Sequence, residues 1–183
     1  MRYVALLRGI NVGGKNKVAM SELKLCFGEL GFANISTYIN SGNIFFETDE
    51  TDIVRLVARC ETAIERRFGF TVVLTVISVS ELRKAMSHAP EWWMNGDRKT
   101  IRNDAIFVIP PTTAKDVLQE LKIKTDSPDR FTHHGNVIFW SLPMEAYNKS
   151  IVPKIIGTPI YKHITIRSST TTKKLLMIGG ENE

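Results

Sequence analysis

The sequence has little of what would assign it to a specialised class of protein. Only two cysteines are present, Cys26 and Cys60, which are too few for a disulfide framework and lack the spacing of a metal site. No apolar run approaches the ~20 residues of a membrane-spanning helix. Arg8 interrupts the first apolar run before it reaches the length of a secretory signal. We therefore expect a cytoplasmic protein that makes no contact with a membrane.

Concentrated charge of one sign is also missing. The formal net charge is +5, and the basic residues are spread along the chain rather than gathered in one block. A basic tail for nucleic acid is therefore disfavoured. The small positive excess indicates a mild preference for anionic partners, and composition alone does not say which anion.

The sequence motifs of several enzyme classes are absent. No HExxH, CxxC, GxSxG or GxGxxG occurs, so zinc proteases, redox disulfides, α/β-hydrolases and dinucleotide folds have no support. His133 and His134 lie in a predicted strand, where neighbouring side chains point to opposite faces, so we expect no metal between them. The sequence assigns no catalytic residue and no cofactor, and it leaves open whether the protein is an enzyme.

What the sequence does contain is a regular alternation of strands and helices. Apolar runs at residues 2–7, 35–39, 44–47 and 71–77 predict strands, and apolar residues at helical spacing predict helices from Met20 to Leu30 and over residues 52–68. The resulting order, βαββαβ, predicts a ferredoxin-like unit with an antiparallel sheet and both helices on one face.

The second half of the chain repeats this order. Strands are predicted at residues 103–109, 130–133, 137–141 and 161–167, with a helix from Thr113 and a proline-interrupted helix that ends near Gly157. The hairpin sequence SGNIFF at residues 41–46 is matched by HGNVIF at residues 134–139. We predict an α+β protein made by tandem duplication of a ferredoxin-like βαββαβ unit with antiparallel sheets.

The same pattern predicts the domain limits. Residues 1–78 form the first ferredoxin-like subdomain, residues 79–100 a linker helix and loop, and residues 101–183 the second subdomain with a C-terminal helix. A capping box of Ser78 and Glu81 opens the linker helix. Ser168 or Ser169 caps the C-terminal helix, which is expected to end before Gly179. We expect a monomer or a weak dimer.

The glycine-rich loop after the first strand invites comparison with a phosphate-binding loop. Residues 9–15 fit GxxxxGK, but Asn16 stands where the motif needs a hydroxyl for Mg²⁺. No apolar strand ends in an aspartate that could bind the metal, and the predicted sheet is antiparallel. The following helix is predicted to begin nearer Met20 than Gly14. A working phosphate-binding loop is therefore disfavoured.

A weaker hypothesis remains for this loop. In a ferredoxin-like sheet the loop after the first strand shares one end of the sheet with the turn between the second and third strands. Guanidinium, ammonium, amide and glycine-exposed backbone groups would then meet, which suits a small phosphorylated or carboxylated ligand. The candidate ligand-binding residues are Arg8, Asn11, Gly13, Gly14, Lys15, Asn40, Ser41, Gly42 and Asn43. The alternative is that these glycines and asparagines only make turns.

A second candidate anion site lies where the last strand meets the last helix. Arg167 is followed by serines and threonines, among them Ser168 and Thr171, at a predicted helix N-terminus. Free N–H groups and the helix dipole favour an anion there. The alternative is an ordinary helix cap, since serine and threonine are preferred at that position.

Three segments together resemble the bacterial domain-of-unknown-function family 1697. They are RGINVGG at residues 8–14, TYINSGN at residues 37–43, and Thr165-x-Arg167 followed by Thr171 and Lys174. The resemblance implies a small bacterial cytoplasmic α+β protein and brings no established activity or substrate. The family pattern usually has asparagine after the terminal arginine and glutamine at the position of Asn40, so contacts with a ligand would differ here.

Two other functions stay open at this point. A nucleic-acid-binding module could use the mildly basic surface with the aromatic residues of the strands, or stack a base on Trp92 and Trp93. Packing is the favoured role of these aromatic side chains: between the two halves for the tryptophans, and in the core or between two sheets for the aromatics of the strands. A protein-interaction domain would use the loops as purely structural turns.

Overall fold

The computed structural model describes residues 1–155 and 158–180. Contacts divide the chain into two compact units, one of Met1–Leu82 together with the residues from Leu175 on, the other of Arg83–Lys174. The domain limits predicted from the sequence, at residues 78 and 100, remain a prediction. Within the described residues, no helix combines the length and the apolar character needed to cross a membrane.

The first unit contains one four-stranded antiparallel sheet. Its strand order is β2-β3-β1-β4. The predicted βαββαβ order is confirmed, while the ferredoxin-like assignment stays a prediction. The elements are β1 (Arg2–Leu7), α1 (Met20–Glu29), β2 (Ala33–Tyr38), β3 (Asn43–Glu47), α2 (Ile53–Phe68) and β4 (Leu74–Ser78).

The core of the first unit follows from the periodicity of its elements. Tyr3, Ala5 and Leu7 alternate along β1 and therefore share one face of the sheet, where α1 and α2 pack on them. Helix α2 begins and ends on local signals: Asp52 accepts a hydrogen bond from the backbone N–H of Arg55 at 3.1 Å, and the helix ends before Gly69, which has a positive φ. The core side chains of the helices are Leu23, Cys26, Phe27, Leu56, Cys60 and Ile64.

Two helices separate the sheets along the chain, α3 (Val79–Ser87) and the short α4 (Glu91–Met94). The predicted capping box is present at the start of α3. The backbone N–H of Ser78 donates to Oε2 of Glu81 at 3.3 Å, and the backbone N–H of Glu81 donates to Oγ of Ser78 at 3.1 Å. The linker helix is thus confirmed.

The second unit has a sheet of the same strand order, β6-β7-β5-β8, again antiparallel throughout. The two sheets have the same strand order, and their hairpins have similar sequences. Both observations fit a tandem duplication. The elements are β5 (Ile101–Val108), α5 (Ala114–Leu121), β6 (Arg130–His134), β7 (Val137–Pro143) and β8 (Ile164–Ser168). The last helix, α6 (Ser169–Gly180), begins in this unit, and its residues from Leu175 belong to the first unit.

The prediction of a proline-interrupted helix in the second half is wrong. This region instead contains three short 3-10 helices, Met144–Lys149, Val152–Ile155 and Pro159–His163. Pro153 and Pro159 cannot donate the backbone hydrogen bonds of a continuous α-helix. Gly157, the predicted helix end, lies outside the described residues.

The three 3-10 helices nevertheless contribute apolar side chains to the core, as the predicted helix would have done. They place Val152, Ile155 and Ile160 in the core that covers the second sheet. Because the last of them runs to His163, β8 begins at Ile164, later than the predicted residue 161. The C-terminal helix α6 extends through Gly180, slightly beyond its predicted end.

Candidate functional site

The glycine-rich loop after β1 forms a miniature hairpin. The backbone N–H of Lys15 donates to the carbonyl oxygen of Val12 at 3.1 Å, and the pair forms an isolated β-bridge. The two residues between them, Gly13 and Gly14, have φ angles of +57° and +77°, as a type I′ turn requires. Glycine meets this requirement without steric cost. The loop tip is therefore a tight, well-defined turn.

This geometry also excludes a phosphate-binding loop of the nucleoside-triphosphatase type. In that motif the glycine and lysine open the helix, whereas α1 begins at Met20 here and the sheet is antiparallel. The prediction that the helix begins nearer Met20 than Gly14 is confirmed. Gly14 and Lys15 are separated from the helix by a stretch of extended and turn conformation.

The Asn11 side chain holds the loop in place. Its Nδ2 donates to the carbonyl oxygen of Val18 at 2.9 Å, and its Oδ1 accepts from the backbone N–H of the same residue at 2.9 Å. Nδ2 also donates to the carbonyl oxygen of Asn40 at 2.8 Å. The loop after β1 and the turn between β2 and β3 are thus in direct contact, with the amide of Asn11 engaged in joining them.

The turn between β2 and β3 is packed against β1. The backbone N–H of Leu7 donates to the carbonyl oxygen of Gly42 at 2.8 Å. A Cβ at Gly42 would lie 2.7 Å from Cβ of Leu7, and its φ is +81°, so only glycine fits. The buried Asn43 amide donates to the carbonyl oxygen of Tyr38 at 3.0 Å and to Oγ of Ser41 at 3.1 Å. Gly42 and Asn43 therefore shape the turn.

The other predicted residues of this site differ in exposure. Arg8 is half-buried, and five lie exposed: Gly13, Gly14, Lys15, Asn40 and Ser41. Within the described residues, the Lys15 ammonium group has no hydrogen-bond or ion-pair partner. Residues 8–18 and 39–43 contain no aspartate or glutamate. The surface formed by residues 8–15 and 40–43, here called the loop cluster, is cationic and rich in donors.

The Arg167 segment belongs to the second unit and has a different geometry. Arg167 is buried, and its Nη1 donates to Oγ1 of Thr165 and to the carbonyl oxygen of Ile166, both at 3.0 Å. Burial lowers the pKa of its guanidinium to about 10. Oγ of Ser168 accepts from the backbone N–H of Thr171 at 3.3 Å and so caps α6.

The aromatic side chains proposed as a binding platform lie mostly inside the protein. Trp93 is fully buried, and its Nε1 donates to the carbonyl oxygen of Asp104 at 2.8 Å. Trp92 is half-buried beneath the guanidinium of Arg130, which lies 4.8 Å from its ring centroid. The strand aromatics are buried as well: Phe45, Phe46, Phe139 and Trp140.

Two features of the second unit were not predicted. The imidazole rings of His88 and His134 stack with their centroids 3.9 Å apart. A cavity of about 430 Å³ is lined by residues from two separate segments, 122–128 and 148–154. Its side chains include Lys122, Lys124, Lys149 and Lys154. No local spacing could have shown this cluster, because its lysines come together only when two segments distant in sequence meet.

A metal centre has no support in the part of the chain that the structure describes. Residues 1–155 and 158–180 contain no group of three or more histidine, cysteine, aspartate or glutamate side chains that could hold an ion. Cys26 and Cys60 are free and buried, and burial raises the pKa of the Cys60 thiol to about 12. Neither thiol is poised as a nucleophile.

The fold defines an α+β protein of two similar units, each with a four-stranded antiparallel sheet. A family model described as "Protein of unknown function (DUF1697)" matches residues 1–139. The chain belongs to this family, as the sequence resemblance indicated. The matched range contains RGINVGG and TYINSGN, whereas the Arg167 segment lies beyond it.

A solved structure extends the similarity over both units. The conserved bacterial protein SP0830 from Streptococcus pneumoniae is 32% identical in sequence and superposes with a TM-score of 0.82. The alignment covers 97% of this chain and 98% of that protein. A search of curated proteins finds no match. The protein is thus an uncharacterised member of a family of unknown function.

Proposed function

We propose that this protein binds a small phosphorylated or carboxylated ligand at the loop cluster. The observation that carries the proposal is the 2.8 Å hydrogen bond from the Asn11 amide to the carbonyl oxygen of Asn40. This bond holds two donor-rich loops against each other at one end of the first sheet. A ligand whose anionic groups are too far apart to bind one loop alone would accept hydrogen bonds from donors of both loops.

The chemistry of the loop cluster suits an anion. Lys15 offers an ammonium group without a partner among the described residues, and Arg8 adds a half-buried guanidinium. The backbone N–H groups of Gly13 and Gly14 point from a tight turn that carries no side chains to obstruct a ligand. Hydrogen bonds from charged donors to phosphate or carboxylate are stronger than neutral ones.

Within this proposal the candidate residues divide into two roles. Asn11, Gly42 and Asn43 shape and join the loops, because their side-chain or backbone groups are engaged with the protein. Direct contacts with the ligand are proposed for the half-buried or exposed residues of the loop cluster: Arg8, Gly13, Gly14, Lys15, Asn40 and Ser41. No reaction is assigned.

The Arg167 segment gives weaker support for an anion site. Oγ of Ser168 donates to Oγ1 of Thr171 at 3.0 Å while it caps α6, so the two hydroxyls satisfy each other. The proposal therefore rests on the loop cluster. The free thiols of both cysteines fit a reducing compartment, which supports the proposed cytoplasmic location. A monomer or weak dimer remains the proposed assembly.

The alternative of nucleic-acid binding has lost its main support. An RNA-recognition sheet exposes aromatic side chains for base stacking, whereas Phe45, Phe46, Phe139 and Trp140 are buried. Salt dependence separates the two functions. Binding across several nucleic-acid phosphates weakens steeply between low and moderate salt, whereas a site for one small anion loses little.

A thermal-shift screen of nucleotides, sugar phosphates and carboxylates tests the proposal. We expect at least one ligand to raise the Tm of the wild-type protein and to raise that of Arg8→Ala and Lys15→Ala much less. Lys24→Ala is the matched control, because Lys24 is an exposed lysine of α1 outside the loop cluster. Absence of any stabilising ligand, or equal stabilisation of all four proteins, would refute the proposal.

A further inference from the structure

We propose that the second unit binds a small polyanion, with at least two phosphate or carboxylate groups, in the cavity lined by Lys122, Lys124, Lys149 and Lys154. We call this site the lysine cavity. All of its lining residues lie in the unit Arg83–Lys174, whereas the loop cluster lies in the other unit. The inference is therefore independent of the proposed function.

The lysine cavity has two walls that are distant in sequence. One wall is the segment of residues 122–128 that follows α5, and the other comes from the first two 3-10 helices and from Ile151 between them. Its volume of about 430 Å³ lies within the range of roughly 300–1,000 Å³ typical of small-molecule sites. Ser127 and Asn148 add neutral hydrogen-bonding groups to the lining.

Charge is the distinctive property of the lysine cavity. Four ammonium groups line it, and Asp126 contributes the one carboxylate among its lining residues. Within the described residues none of the four lysines forms a hydrogen bond or an ion pair through its side chain. Like charges that share one concave site repel one another and raise the local positive potential. A bound polyanion would relieve that repulsion.

A buried carboxylate fixes the two walls relative to each other. Asp129 accepts hydrogen bonds from Oγ of Ser127 at 2.9 Å, from Oγ of Ser150 at 2.6 Å and from the backbone N–H of Ile151 at 2.9 Å. Nε1 of Trp140 donates to the same carboxylate at 2.7 Å. The two walls are thus joined before any ligand arrives, which lowers the ordering cost of binding.

The number of lysines selects the ligand class. A single phosphate reaches one or two ammonium groups and leaves the others uncompensated. A ligand with two or more anionic groups can contact both walls, and each contact is a charge-assisted hydrogen bond. The limited volume of about 430 Å³ favours a compact polyanion over a long polymer, because a polymer would have to contact a surface wider than this cavity.

Calorimetric titration of the full chain with tripolyphosphate tests the inference, with inorganic phosphate as the comparison that carries a single phosphate group. The variant is Lys149→Gln/Lys154→Gln, and Lys122→Gln/Lys124→Gln tests the opposite wall. The control is Lys99→Gln/Lys162→Gln, which removes the same charge from exposed lysines of the same unit outside the cavity. Circular dichroism checks that each variant is folded.

We expect tripolyphosphate to bind more tightly than phosphate, and either cavity variant to weaken its binding by about tenfold or more while the control does not. The Lys24→Ala protein should bind tripolyphosphate as the wild type does, because Lys24 is an exposed lysine of α1 that lies in neither proposed site. Equal weakening in cavity and control variants, or no binding of tripolyphosphate, would overturn the inference. Tighter, steeply salt-dependent binding of a single-stranded oligonucleotide would also overturn it, in favour of a nucleic-acid surface.

Discussion

The side-chain amide of Asn11 donates a hydrogen bond to the carbonyl oxygen of Asn40, 2.8 Å away, and joins the two loops at one end of the first sheet. The same side chain bonds to both backbone groups of Val18. Asn11 also has a φ of +56°, a conformation that asparagine tolerates better than most residues. One residue therefore supplies both the turn geometry and the bond between the loops.

Replacing Asn11 by alanine removes these hydrogen bonds. It also places alanine at a positive φ, which alanine adopts less readily than asparagine. We expect Asn11→Ala to lower the free energy of unfolding by about 2 kcal/mol. Asn11→Gly should lower the free energy of unfolding by less, about 1 kcal/mol, because glycine adopts a positive φ freely. Urea unfolding measures both values. An Asn11→Ala protein as stable as the wild type would mean that the bond to Asn40 contributes nothing.

The two hairpins provide a matched pair of glycine substitutions. At Gly42 a Cβ would lie 2.7 Å from Cβ of Leu7 and 2.8 Å from Cδ1 of Ile10, so we expect Gly42→Ala to cost about 3 kcal/mol or more. At Gly135, in the corresponding turn of the second hairpin, φ is +54° but no atom lies within 4 Å of that position. Gly135→Ala should therefore cost only about 1 kcal/mol. Equal losses in denaturant unfolding would contradict the packing of Gly42 against β1.

Stability should fall at mildly acidic pH because of the His88–His134 stack. Desolvation lowers the pKa of His134, and the neighbouring charges of His88 and Lys84 lower it further. The folded protein then binds a proton at His134 less readily than the unfolded chain does. The contribution of His134 to the stability of the folded protein is complete above about pH 6.5, the pKa of histidine in the unfolded chain. It is lost as the pH falls through the lower pKa of His134 in the folded protein.

The measurement is the difference in Tm between pH 7.5 and pH 5. We expect His134→Asn to reduce this difference relative to the wild type. His163→Asn is the control, since His163 is exposed and stacks with no other ring among the described residues. If His134→Asn and wild type lose stability equally on acidification, the stacked pair is not the cause.

The buried thiols should resist alkylation in the native protein. Burial raises the pKa of Cys60 to about 12 and raises that of Cys26 as well, so the reactive thiolate is scarce at pH 8. We expect iodoacetamide to label neither cysteine rapidly in buffer and to label both in denaturant, as mass spectrometry would show. Rapid labelling of Cys60 in the folded protein would contradict its place in the core.

Much of the fold could be predicted because its signals are local. The alternation of apolar residues along β1 and the helical spacing of Leu23 and Phe27 appear in the sequence itself, as do the caps at Asp52 and Thr113. The exception was the region after β7. There the sequence predicted a proline-interrupted helix, and the loss of backbone donors at Pro153 and Pro159 favoured 3-10 turns instead.

The candidate site could be predicted only in part. Strand order implies that the loop after β1 meets the turn between β2 and β3, and the Asn11 bond to Asn40 shows this meeting. Which asparagines face solvent was not predictable. Asn11 and Asn43 were candidates to orient a ligand, but their amides bond to backbone or to Ser41, because a buried or constrained turn needs partners for its own polar groups.

The sequence by itself determined the alternation of strands and helices and the turn at Gly13 and Gly14, because each depends on residues close together in the chain. It also showed the likeness of the two halves, because their hairpin sequences can be compared directly. The need for glycine at Gly42 depends on its close approach to Leu7, which the tertiary structure decided. Only the tertiary structure decided which polar groups are engaged and which lysines share a cavity. Lys122 and Lys154 are far apart in sequence, and their segments meet through hydrogen bonds to the buried Asp129. Long-range packing of this kind leaves no periodic signal in the sequence.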